Sequence, residues 1–383
     1  MSDTPINDVN RRSQSAYSQP SSDTTPQAKG KPGISLQVNQ ANSLLNVADS
    51  TGDKGGDQAA IKATNPSYVA NGASITPQQK FCEAVAADNG KGMAALLTAH
   101  KDQIDINLVD KATGKSLLRT ALEAKNEEAA KVLVMYGAPV NARDEQRRTP
   151  VMLAAGAGLK SMVNTLISRG ATVDDTDKSG ATALHHAMQG GNPEIVRELI
   201  RAKANLDATD KSGCTPLHYA AKAGKAEAAQ VLIDFGATAD PKDKTRTTPL
   251  WNACKTGSEA VVKMLLDNGA KAERYCGAFK ESTPMLAACN ADNDVHALSI
   301  VKLLIAKNAS ANFADKKYGN VPLMAAAAKG FFNTTTYLLN EGRASPQVIN
   351  KAGQTALYSA EENVIKLLND HGIKKGVLQE NQY

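Results

Sequence analysis

The sequence predicts an all-α solenoid of stacked helix-turn-helix units behind a disordered N-terminal segment. Three observations carry this reading. Thr149-Pro150-Val151, Thr182-Ala183-Leu184, Thr215-Pro216-Leu217 and Thr248-Pro249-Leu250 follow one another at one constant interval, and an internal period of that size marks a repeat architecture. Between the copies, small and apolar residues return at fixed offsets. Over positions 1–75 the pattern is absent and Ser, Thr, Pro, Gln, Asn, Gly and Asp dominate.

Each element of the unit has a physical reason. Thr149, Thr182, Thr215 and Thr248 stand where a helix needs an N-cap, and Pro150, Pro216 and Pro249 fall at the first helical position, where a missing N–H costs nothing. Ala154-Ala155 and Ala220-Ala221 give the first helix a narrow face, so neighbouring units can approach closely. Gly158, Gly191, Gly224 and Gly257 are placed to end that helix. Leu166-Ile167, Leu199-Ile200, Leu232-Ile233 and Leu265-Leu266 put paired apolar residues on the second helix, facing the next unit. That helix closes at Gly170-Ala171, Gly236-Ala237 and Gly269-Ala270. Lys203-Ala204 replaces the glycine in one unit, at a cost of roughly 1 kcal/mol or less.

Taken together, Thr215-Pro216-Leu217-His218, Asp177-Lys-Ser-Gly180 and Asp210-Lys-Ser-Gly213, the alanine pairs and the Gly-Ala closures resemble the ankyrin repeat. The resemblance implies that a β-hairpin precedes each helix pair, and that His185 and His218 hydrogen-bond the hairpin. It also implies that the array works by binding protein. Counted on this pattern, a solenoid of eight or nine units spans positions 76–373, with caps near 78–109 and 350–373 and a tail over 374–383. The N-terminal cap, from Phe81 to Leu97, lacks a Thr-Pro start. Gly114 to Leu118 stands in for the motif in the second unit. The sixth has a hairpin lengthened at Cys276 to Glu281 and a turn between helices lengthened at Asp292 to Ala297. The last unit is shortened between its helices.

The segment 1–75 carries six Lys and Arg against six Asp, with Tyr17 and Tyr68 as the only aromatics. Such a stretch buries too little apolar surface to offset its ordering entropy. Its composition is similar to the leaders of bacterial type III secretion effectors, which must stay unfolded to enter a narrow channel. On that resemblance the protein acts in a host cytoplasm, and Ile34 to Val47 is where a secretion chaperone binds. A cytoplasmic adaptor or inhibitor that is not secreted is the alternative.

Composition narrows the chemistry. No apolar run approaches the length of a membrane span. The five cysteines, at 82, 214, 254, 276 and 289, show no zinc spacing. Cys276 is expected to be exposed on its hairpin and Cys214 partly so, whereas Cys254 and Cys289 take packed alanine positions. His100, His296 and His371 have no evident partner, and no catalytic set, phosphate loop or cofactor motif is visible. A net charge of +5 without a base-stacking array or reader motif argues against a nucleic-acid role.

The expected working surface is the concave side, formed by hairpin tips and by outer positions of the first helices. The tips carry Arg147, Arg148, Lys178, Lys211, Lys244, Lys316 and Lys317; the helix positions carry Gln189, Lys222, Lys255 and Lys329. A row of cations at the repeat spacing steers an acidic protein partner. Phe279 in the lengthened hairpin and Tyr318 beside Lys317 are candidate apolar anchors, because nothing in the repeat requires an aromatic there. Trp251, at the motif histidine position, is either an anchor or packed beneath its own hairpin. Of Phe331-Phe332, one ring belongs in the core and the other outside.

Overall fold

The computed structural model describes residues 75–374. The segment 1–75, with the chaperone site expected at 34–47, lies outside the described residues except for Ile75, and so does the tail beyond Lys374. Among the described residues, seventeen α-helices run in chain order. Sixteen of them form eight pairs: α1 Pro77–Ala86 with α2 Gly90–His100, α3 Leu117–Glu123 with α4 Glu127–Met135, α5 Pro150–Ala157 with α6 Lys160–Ser168, and α7 Ala183–Gly190 with α8 Pro193–Arg201. Next come α9 Pro216–Ala223 with α10 Ala226–Asp234, α11 Pro249–Lys255 with α12 Glu259–Asp267, α13 Pro284–Cys289 with α14 Asp294–Ala306, and α15 Pro322–Ala328 with α16 Phe332–Asn340. α17, Glu362–Asp370, stands alone at the end.

The local sequence explains the element ends. Thr149, Thr182, Thr215 and Thr248 are N-caps with extended backbone. Gly158, Gly191 and Gly224 are left-handed C-caps. Lys203 is forced to φ +66° where its counterparts Gly170 and Gly236 sit at +84° and +94°. First helices stack on first helices from α1 to α15, and second helices on second helices from α2 to α17. One core therefore runs along the array. Leu133, Leu166, Leu199, Leu232, Leu265, Leu304, Leu338 and Leu368 are all fully buried in it. Burial of a leucine contributes about 1.5–3 kcal/mol, and no unit could bury its own without a neighbour.

Four sequence expectations change. The first unit does have a Thr-Pro start, at Thr76-Pro77: the Thr76 N–H donates to Gln79 Oε1 at 2.9 Å and the Gln79 N–H to Thr76 Oγ1 at 3.2 Å. Positions 294–297 lengthen α14 rather than the turn before it, because Asn293 caps the helix through the His296 N–H. In the last unit the first helix is reduced to a turn over 356–359. Finally, the hairpins carry no strand among the described residues beyond isolated bridges at Val109–Ser116 and Cys276–Ser282. They are tight turns held by side chains.

Candidate protein-interaction surface

The turns are organised by an aspartate that the sequence repeats at 144, 177, 210 and 243. Its carboxylate accepts two backbone N–H groups of its own turn. Asp177 Oδ1 takes those of Ser179 and Ala181 at 2.8 and 3.0 Å, Asp210 Oδ1 those of Ser212 and Cys214 at 2.8 Å, and Asp243 Oδ1 those of Thr245 and Thr247 at 2.9 and 2.8 Å. Burial raises the Asp177 pKa, but the bonds from Ser179, Ala181 and His186 outweigh it and hold the carboxyl below its ordinary value. With the aspartate turned inward, the residue after it is left at the tip: a lysine at 178, 211 and 244, and Glu145 in the turn of Asp144.

Successive tips are bonded to each other. The Lys178 N–H donates to Gln146 O at 2.7 Å, that of Lys211 to Ser179 O at 2.8 Å, and that of Lys244 to Ser212 O at 2.9 Å. The row resumes with Lys316 N–H to Lys280 O at 3.0 Å and Lys351 N–H to Tyr318 O at 2.9 Å. Between Lys244 and Lys280 no such bond forms among the described residues. There Cys276 stands where the repeat places its aspartate, and the tip is longer than its counterparts. Glu281 substitutes from the other side of the turn, accepting the Phe279 N–H at 2.8 Å.

Lys178, Lys211, Lys222, Lys244, Lys255, Lys316 and Lys317 are all exposed, and none pairs with a carboxylate among the described residues. Arg147 is likewise exposed, at φ +61°. Arg148 differs. It is held by Asp144 at 2.8 Å and Glu123 at 3.4 Å, so the structure removes it from the free cations. Lysines near unit six lie over rings instead: Lys255 Nζ is 5.4 Å from the Trp251 ring centroid, Lys316 Nζ 4.7 Å from Tyr275, and Lys317 Nζ 4.9 Å from Phe279 and 4.7 Å from Tyr318.

Phe279 is 71% exposed and Tyr318 44%, so the two anchors expected from sequence share one lysine at the surface. Trp251 is half-buried, and its indole N–H donates to Ser282 Oγ at 2.9 Å, across to the next turn. It straps two units together. Phe331 is core and Phe332 exposed. The pair Tyr275 and Phe313, with ring centroids 4.8 Å apart and planes tilted by 31°, was not foreseen from sequence; both lie in loops just ahead of a turn, where the repeat imposes no apolar position.

Strapping recurs at the fourth motif position. His185 and His218 are fully buried. Each takes the N–H of its own Thr182 or Thr215 on Nδ1 at 3.1 Å, and Nε2 meets Cys214 O at 3.0 Å and Thr247 O at 3.1 Å, in the following unit. The neutral Nε2–H tautomer fits both contacts. Burial lowers both pKa values. In the second unit, Arg119 fills this position and pairs with Asp144 and Glu145 of the next turn.

The remaining histidines and cysteines correct two further expectations. His296 bonds Asn293 at 3.0 Å, and His371 bonds Asn340 of the preceding unit at 2.9 Å. Cys276 is fully buried and Cys214 nearly so, since Cys276 occupies the inward aspartate register. Burial pushes both thiols up to about 11 and Cys289 to about 12. Thiols so placed are poor nucleophiles. No cluster of three or more metal-ligating side chains occurs among the described residues, and no described helix is long and apolar enough to cross a membrane.

Comparison with known proteins places this geometry. A family model described as ankyrin repeats (3 copies) matches residues 81–177, 152–245, 184–276, 224–298 and 284–378. Comparison with curated proteins gave no match. Among solved structures, the crystal structure of the human ASB11 ankyrin repeat domain is similar, with 25% sequence identity and a TM-score of 0.50, covering 59% of this chain and 96% of that one. Because the family matches overlap to span the array from 81 to 378, and ankyrin arrays are protein–protein interaction modules, the chain belongs to the ankyrin-repeat family as a binding module.

Proposed function

We propose that this protein acts without catalysis, by holding the acidic surface of one partner protein along its row of turn tips. The observation that carries the reading is the set of lysines without a carboxylate partner among the described residues, Lys178, Lys211 and Lys244, fixed one period apart on tips that are hydrogen-bonded to one another. Side chains presented from a bonded row need little further backbone ordering on binding, and a cationic row steers an acidic partner. Arg147, Lys222, Lys255, Lys316 and Lys317 extend the positive face. His185 and His218 are spent on straps, and Cys214, Cys254, Cys276 and Cys289 are buried in the packing, which supports a binding role.

The triple substitution Lys178→Glu, Lys211→Glu, Lys244→Glu tests it. Capture of partner should fall while the circular-dichroism melt is retained. Unchanged affinity with folding intact would remove the cationic row from the mechanism.

The composition of positions 1–75 supports a finer reading, in which the module is an effector exported by a bacterial secretion machine into a host cytoplasm. Ile34 to Val47 then engages an export chaperone. Deleting positions 2–30 should abolish export and leave the array folded; full export of the truncated chain would favour the cytoplasmic adaptor.

A further inference from the structure

We infer that the sixth and seventh tips form a docking site for an acidic segment that carries an aromatic side chain. The inference rests on the tip-face reading and gives it a place and a ligand chemistry. The sixth tip is the one where the repeat fails. Cys276 replaces the turn aspartate, the turn is lengthened, and its backbone makes no bond back to the Lys244 tip. Freed from that neighbour, it projects Phe279, the most exposed large apolar side chain among the described residues at 71%.

The seventh tip is tied to it by the Lys316 N–H bond to Lys280 O and brings Tyr318 alongside. Lys317 lies against both rings, and Lys316 lies on Tyr275. Neither ammonium has a carboxylate partner among the described residues. Two rings that share an unpaired ammonium offer an apolar seat bordered by positive charge. The complement is an aromatic ring with carboxylates on both sides: the ring adds to Phe279 and Tyr318, and the carboxylates meet Lys316 and Lys317. A purely acidic segment would leave the rings exposed, and a purely apolar one would leave the ammoniums unpaired.

The test uses the full chain and two labelled synthetic peptides, one with a phenylalanine flanked by glutamates and one with alanine in its place, read by fluorescence anisotropy. The phenylalanine peptide should bind about tenfold more tightly. That preference should vanish in Phe279→Ser/Tyr318→Ser, while Lys316→Gln/Lys317→Gln should weaken both peptides alike. The Lys178/Lys211/Lys244 glutamate variant should keep the preference, so failure of the long cationic row and failure of this seat read out separately. Equal binding of the two peptides, or a preference that survives loss of both rings, would overturn the inference. A dimer in the wild type that dissociates in the Phe279→Ser/Tyr318→Ser variant would also overturn it, by assigning the rings to a second copy.

Discussion

Acid should loosen this array from its middle, and the two strap histidines set the pH. His185 and His218 accept a backbone N–H on Nδ1, so a proton there would place two donors face to face in a buried site. Their folded pKa values lie below the ordinary value of 6.5. As pH falls, the unfolded chain therefore binds protons first. Stability from these groups is full above about 6.5 and is lost below it, until the folded pKa is reached. Between pH 7.5 and 5.5 the loss is at most about 1.4 kcal/mol per histidine, and about 2.7 kcal/mol for the pair.

Urea unfolding at pH 7.5, 6.5 and 5.5, followed through the single tryptophan, Trp251 of the adjoining unit, measures it. Local fluorescence is the right reporter because a repeat array need not unfold as one step. The carboxylates whose pKa values are lowered, Asp110, Glu123, Glu145, Asp177, Glu194 and Asp267, lose their contributions only below about 4.5. The double variant His185→Gln/His218→Gln should be less stable at pH 7.5 but lose less between 7.5 and 5.5. If wild type and variant lose the same amount over that window, the neutral-strap argument is wrong.

Two further substitutions probe the helix ends and the N-terminal cap. Lys203→Gly relieves a side chain held at φ +66° and should raise the urea midpoint, by up to about 1 kcal/mol of stability. Asn126→Ala removes a buried amide that donates to Val85 O and Ala86 O, both at 3.0 Å. Ala86 O is then left without a partner among the described residues and Val85 O keeps only the Asp88 N–H at 3.3 Å, so the loss should be about 1–3 kcal/mol, seen as early amide exchange confined to the first unit.

Much of the fold was legible in sequence because the repeat writes each local requirement at a fixed register. Thr at the cap, Pro after it, Gly at the left-handed end and the leucine of the second helix are separate physical needs, and each recurs at the same interval. Where the register holds a substitute, the reading failed. Cys276 looked like an exposed hairpin thiol, yet it lies in the inward position of Asp144, Asp177, Asp210 and Asp243; counting one period on from Asp243 would have found it. Thr76-Pro77 was passed over because the motif around it is degenerate, although its cap works without the rest.

By itself, the sequence determined the period, the helix ends of the regular units, the packed leucine seam and the lysines at 178, 211 and 244, since each of these answers a local requirement that recurs at one fixed register. Only the tertiary structure decided which cations are free and which aromatics meet. Arg148 is neutralised by Glu123 of the preceding unit, Trp251 is spent on Ser282, and Lys317 joins Phe279 to Tyr318 across two units. Such pairings follow from how far each loop reaches across the boundary between units, and the insertion that sets the reach of the sixth tip has no counterpart elsewhere in the period.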